Sequence, residues 1–147
     1  MAQVATLNAH AAQTLERILA LIPEGESYVK IDNNAAFMPL AVEKGILDLD
    51  DIISLMDDGR EKFALSLAHY GTCNGDAMTD PEVVILCYKT EKGWQYAPAT
   101  YQNDYMGLYQ RDISTRDGRI VFSQQAQKEL CEFCEMWLHN IAFQQGI

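Results

Sequence analysis

Apolar positions recur along this chain in two rhythms, one shared by its two ends and another between them. Near the N-terminus, Leu7, Ala11, Leu15, Ile18 and Ile22 follow three- and four-residue steps, the period of an amphipathic helix over residues 6–22. Thr6 or Asn8 is placed to cap that helix, and Pro23-Glu24-Gly25 to stop it. The same rhythm returns over 123–144. Leu130, Cys134, Trp137 and Ile141 form a stripe that Phe133 and Leu138 widen, while Lys128, Glu132, Glu135 and His139 take the wetter side. Ser123 stands at the N-cap position, and Gly146 where a helix-ending glycine belongs.

Between these helices the pattern is that of strands. Residues 28–32 and 37–43 predict two strands around Asn33-Asn34, because asparagine tolerates the positive φ of a tight hairpin. Pro39 demotes the second to an edge strand or a bulge. Residues 46–58 fit a short helix capped by Asp48 or Asp50, or a strand, and Asp57-Asp58-Gly59 is a turn. Over 62–70 the chain alternates, with Phe63, Leu65, Leu67 and His69 on one face and Ala64, Ser66, Ala68 and Tyr70 on the other. The second face is small, which suits a helix packed close. Residues 71–81 read as a polar loop, and 82–90, apolar on both faces, as the central strand. Residues 94–102 and 105–115 continue the strands, with turns at Lys92-Gly93 and Asn103-Asp104. Asp117-Gly118, between ISTR and RIVF, is the strongest hairpin signal.

Helix, sequential strands and helix predict an α+β fold: an antiparallel β-meander sheet of about five to seven strands flanked by an N-terminal and a C-terminal helix. No repeat, low-complexity stretch or linker divides the chain, so a single α+β domain is expected over residues 1–147. At 48% hydrophobic residues, a chain of 147 residues has the material for a core without disulfides or metal.

Charge narrows the function classes. With 21 acidic against 11 basic residues the net charge is −10, which keeps the surface soluble and repels phosphate backbones. The nearest approach to a basic run, Arg111, Arg116 and Arg119, is diluted by Asp112 and Asp117. Nucleic-acid binding is therefore disfavoured, while docking on a basic partner, or imitation of nucleic acid, fits. The first residues lack a basic leader region, and the apolar runs fall far short of the roughly 18–20 residues that span a bilayer. The expectation is a cytoplasmic protein with no membrane contact. In that compartment Cys73, Cys87, Cys131 and Cys134 default to thiols. Cys131 and Cys134 share a helix face with Leu130 and Trp137 and read as small core residues rather than zinc ligands, since Cys73 and Cys87 supply no second pair. No cofactor signature is found, neither a phosphate-cradling glycine loop nor a nucleophile elbow.

Two groups of residues carry candidate chemistry. Residues 69–82 gather an imidazole, a thiol and carboxylates, and His69, Asp76, Asp80 and Glu82 are hard or borderline donors for a divalent cation. The spacing is not that of an EF-hand. Asn74-Gly75-Asp76 is also ordinary turn chemistry, His69 falls on an apolar face where a hydrogen-bonded core histidine is the simpler reading, and the nearness of Cys73 to His69 in sequence does not give the geometry of a catalytic pair. The second group is aromatic: Tyr88, Trp94, Tyr96, Tyr101, Tyr105 and Tyr109 crowd residues 88–109 and present tyrosine on both sheet faces. Such tyrosines are either buried with satisfied hydroxyls or exposed for a partner.

The patterns K-I-x-N (30–33), F-M-P-L (37–40), S-L-A-H-Y-G-x-x-N-G-D-x-M-x-D-P-E (66–82) and Y-x-N-D-x-x-G-x-Y-Q (101–110) resemble an uncharacterised family of bacterial domains of unknown function met on plasmids, phages and conjugative elements. The resemblance covers roughly residues 28–112 and leaves the terminal helices outside. It implies a mobile-element protein and no particular activity. Its polar positions here are His69, Asn74, Asp76, Asp80, Glu82, Asn103, Asp104 and Gln110; Thr72-Cys73 and the acidic stretch 46–58 depart from the pattern. Two readings follow. The preferred one is a non-enzymatic interaction or regulatory module, with a protein partner met through His69, Asn74, Asp76, Asp80, Glu82, Tyr101, Asn103 and Asp104. An inhibitor of host defence is one version of it. The alternative is a small metal-dependent hydrolase using His69, Asp76, Asp80 and Glu82.

Overall fold

The computed structural model of the chain describes residues 4–147, the side chains of residues 72 and 73 excepted. Helix α1 (Ala9–Leu19) is followed by β1 (Tyr28–Ile31), β2 (Leu40–Lys44), a short α2 (Asp50–Leu55), β3 (Lys62–Cys73), β4 (Asp76–Thr90) and β5 (Gly93–Asn103). A 3₁₀ turn (Asp104–Met106) leads into β6 (Leu108–Arg111), then β7 (Ile113–Arg116), β8 (Arg119–Phe122) and the long α3 (Gln124–Gln145). Strands β1 to β6 form an antiparallel sheet in chain order, and β7 and β8 form a separate two-stranded ribbon. The fold is thus α+β with a meander sheet, as the alternation predicts.

Each sheet face has its own core. Leu65, Leu67, Val83, Ile85 and Cys87 point to the side where α1 and α3 lie, and pack with Leu15, Ile18, Cys134, Leu138 and Ile141. Ala64, Val84, Leu86 and Tyr88 point the other way and pack with Leu49, Ile52 and Met56 around α2 and with Ile113 of the ribbon. The small side chains of the Ala64 face do admit a helix, and that helix is α2.

Local chemistry explains the elements and corrects several expectations. Asn8, not Thr6, caps α1, its side chain accepting from Ala11 N at 2.9 Å. Residues 46–58 resolve to the helix α2, but its N-cap is Leu49; Asp50 and Asp51 lie in the first turn, where carboxylates favour the helix dipole. Ser123 occupies the N-cap of α3 without a side-chain cap bond, and Gly146 ends that helix in the left-handed conformation. Strand β2 is an interior strand, paired with β1 and β3; Pro39 stands just before it and removes no ladder bond. Asn33-Asn34 do not form a tight hairpin, because the β1–β2 connection is longer and turns where Phe37 N bonds Asn34 O.

The largest correction concerns residues 71–81, read as a loop. They extend β3 and β4 into one long hairpin that turns at Asn74 and Gly75, both at positive φ (53° and 85°). Ala68 pairs with Glu82 and Tyr70 with Thr79, so Asp80 and Pro81 both stand opposite His69 and bulge β4. A second bulge places Ala99 between the pairs Val84–Thr100 and Ile85–Pro98, which lets β5 tolerate a proline. The stretch 105–115 also breaks in two: β6 stays with the large sheet, and β7 pairs with β8 across Asp117-Gly118 as expected.

Candidate functional site

The face that α2 and the ribbon cover is only partly closed. Directly paired residues share a face, and the row Lys30–Ala41–Ala68–Glu82–Gln102–Tyr109 crosses all six strands beyond that cover. Its floor is small and buried, Ala68 and the neighbouring Ser66 lying beneath taller side chains. The tall side chains are polar or amphipathic. Glu82 accepts the Ser66 hydroxyl at 2.6 Å, and Lys30 and Tyr109 are exposed. Tyr28, Lys30, Pro39, Ala41 and Tyr70 enclose a shallow hollow of about 200 Å³. Burial pushes the Tyr70 hydroxyl up, and the negative charges of Glu82, Glu43 and Asp104 push it further. The face therefore carries tyrosine in a field of carboxylates.

At one end of this row the β3–β4 hairpin meets the turn after β5. Asp104 accepts from Thr79 N (2.9 Å) and from Gln102 Nε2 (2.8 Å). These two donors hold its carboxyl below the usual range. The Thr79 hydroxyl, otherwise without a hydrogen-bond partner of good geometry, lies beside the same carboxylate and lowers it too. Asn103 donates to Asp80 Oδ1 (3.2 Å) and accepts from Met106 N (3.3 Å), so it ties the bulge to the turn. The Tyr105 hydroxyl and ring lie over Gly71, at a position of ordinary φ, so a Cβ there would push the Tyr105 side chain aside.

This bracing presents an unusual run. Tyr105, Met106, Leu108 and Tyr109 are 47%, 71%, 40% and 60% exposed, and no charged residue interrupts 105–110. Strand β6 is the outermost of the sheet. Asp112 N donates to Ala99 O at 2.7 Å. By the antiparallel alternation, Leu108 and Gln110 also bond inward to β5, and the backbone groups of Tyr109 and Arg111 turn to the open edge. Arg111 marks the far end of the run, its Nη2 donating to both carboxylate oxygens of Asp51 (2.7 and 2.8 Å).

The candidate residues separate into distinct places. Asp80, Asn103 and Asp104 come together, and Glu82 joins them through Gln102. Asn74 and Asp76 lie at the exposed hairpin tip. Tyr101 is half-buried on the helix side, edge-on to Phe133 with ring centroids 5.5 Å apart. His69 is a core residue: its Nδ1 lies 2.9 Å from Pro39 O and its ring stands edge-on to Trp137. It also faces the side opposite to Glu82, so His69, Asp76, Asp80 and Glu82 do not converge. Among the described residues no group of three or more His, Cys, Asp and Glu could hold a metal ion. The tyrosines divide as well, Tyr96 being buried with its hydroxyl on Glu16 Oε2 at 2.8 Å. Cys87, Cys131 and Cys134 are buried thiols; burial raises all three, Cys131 to about 12. The Cys73 thiol lies outside the described side chains. Sequence reasoning singled out the polar members of 101–110 and passed over Met106 and Leu108; the absence of charge from 105–110 was the signal available.

No helix among the described residues is long and apolar enough to cross a membrane. A family model described as "Domain of unknown function (DUF6908)" matches residues 10–147, taking in both long helices as well as the two motif segments. Comparison with curated proteins and with solved structures finds no match.

Proposed function

We propose that this chain, which belongs to the family described as Domain of unknown function (DUF6908), is a non-enzymatic docking module that takes an extended strand of a partner protein along β6. The observation that carries this reading is the exposed, charge-free run Tyr105–Tyr109, which passes from the 3₁₀ turn into the outermost strand β6. An edge of this kind is a template for another strand, and depletion of charge with enrichment of Tyr and Met is the composition of an interface centre. The opposite edge, β1, carries Lys30, a charge of the kind that blunts an edge. On this reading Asp80, Asn103 and Asp104 position the run, while Glu82 and the tyrosines of the open face receive the partner's flanking residues. The carboxylates and the net charge of −10 favour a partner strand flanked by Lys or Arg. The resemblance to domains of plasmids, phages and conjugative elements supports a host protein as that partner, and inhibition of a host defence as its purpose.

The test is capture of a partner by the wild-type chain, then by Met106→Asp/Leu108→Asp, whose exposed positions leave folding intact. Capture should be lost at an unchanged melting temperature. Tyr109→Pro sharpens the result, since it deletes an N–H that the sheet does not use. Undiminished binding by the double-Asp variant overturns the reading.

A further inference from the structure

His10, in the first turn of α1, and His139, in α3, are 129 residues apart in sequence and meet on the surface. Nδ1 of His139 lies 3.5 Å from Nε2 of His10, with ring centroids 5.7 Å apart and the rings tilted by 47°. Imidazole nitrogens bind zinc at ~2.0–2.1 Å, so two of them on a tetrahedral ion sit about 3.3–3.4 Å apart. The spacing between the two helices already delivers that separation.

We infer that His10 and His139 form a two-imidazole site for a borderline divalent cation of the zinc, nickel and copper class, clamping the start of α1 to α3. Imidazole is the donor these ions share. The two backbones are fixed beside the pair: Asn8, the cap of α1, donates its N–H to Glu135 Oε2 at 2.8 Å, and Glu135 is one helical turn before His139. Below them α1 and α3 share one buried core, which includes Ala11, Leu15, Leu138 and Ile141. Only two exposed side chains have to rotate to turn both lone pairs onto one ion. Among the described residues no third His, Cys, Asp or Glu completes the set, so water fills the remaining positions on the solvent side. The net charge of −10 raises the local concentration of any cation.

Zinc chloride titrated into the full chain at about pH 7.5, above the ordinary imidazole range, tests the site. Calorimetry should give one ion per chain, and the ¹⁵N resonances of His10 and His139 should shift together. His69, whose Nδ1 is engaged by Pro39 O, should stay in place as an internal control. His10→Ala and His139→Ala should each weaken binding by at least about tenfold, and each should abolish the zinc-dependent rise in melting temperature that binding to the folded state alone produces. Both are exposed positions, so the metal-free variants should melt as the wild type does. Binding that neither substitution weakens, a shift of one imidazole without the other, or no saturable binding at all overturns the inference.

Discussion

Ala64 and Leu65 are neighbours in β3, yet they belong to sheet faces of two kinds. On the Leu65 side, large aliphatic side chains meet two long helices, and Leu15, Leu65, Leu67, Ile85 and Leu138 are all fully buried. On the Ala64 side a six-residue helix and a two-stranded ribbon cover one end only. The rest carries an Ala and Ser floor under Tyr, Glu, Gln and Lys. Each fully buried Leu or Ile stabilises the fold by about 1.5–3 kcal/mol, so the first face holds most of the stability. The second is left with groups that can exchange water for a partner at little cost to the fold.

Paired truncations test this contrast most severely. Trp137 packs in the closed face against His69 and, in stacked geometry, against Phe133. Trp137→Ala should cost ~3–5 kcal/mol, the range for large aromatic truncations in a core. Tyr109→Ala, on the open face, should stay within about 0.5 kcal/mol of wild type. Urea unfolding measures both. Equal losses would mean that the open face is structural after all.

The seam between the faces is the next place to press. The N-terminal segment passes from one core to the other, Val4 belonging to the ribbon side and Leu7 to the helix side. Gln127 of α3 is fully buried and holds the crossing: Ala5 N donates to its Oε1 (2.6 Å), and its Nε2 donates to Ala5 O (2.8 Å) and Pro98 O (3.2 Å). Gln127→Ala leaves those backbone groups unpaired and should cost roughly 2–3 kcal/mol. Amide exchange should show the loss first at Ala5 and Leu7. Unchanged protection there would assign the crossing to apolar contacts alone.

Gln127 also shows where sequence reading stopped. Periodicity placed both long helices and the central strands because burial on one face leaves a mark in composition, and Asp117-Gly118 marked its hairpin through backbone conformation. A buried glutamine leaves no such mark; Gln127, and Gln145 which bonds Asn33 N and Met38 O, look like surface residues of an amphipathic helix. The hairpin beyond Tyr70 reads as a loop in sequence for a related reason. It extends past the core, so neither of its faces needs apolar residues, and Asn74-Gly75 signals the turn but not the strands around it. Within the site, Asp80, Asn103 and Asp104 stood out as polar motif residues, but their convergence depends on a bulge that places Asp80 and Pro81 opposite His69. The meeting of His10 with His139 depends on the packing of α1 on α3 and has no local signature.

The smallest of the expected effects separates charge from shape on the open face. Asp104 is held below its ordinary range first by the Thr79 N–H and then by the Gln102 amide. A carboxylate so depressed stabilises the fold at any pH above its unfolded value of about 3.9, and that stabilisation is lost as pH falls through the lower folded value. Asp112 acts in the opposite sense. Burial raises it, outweighing the two bonds from Gln110 Nε2, so its protonation favours the fold as pH falls through the raised value. Asp104→Asn keeps the shape but turns an amide N–H toward one of the two donors. It should lower the melting temperature slightly at about pH 7, and the gap to wild type should narrow as pH falls below about 3.9 and through the lower folded value, where the wild-type carboxyl takes up its proton. The variant should keep the acid response that Asp112 contributes. A gap that stays constant across the same range would show that Asp104 braces the turn by fit alone, and that the field of carboxylates on the open face adds nothing to its rigidity.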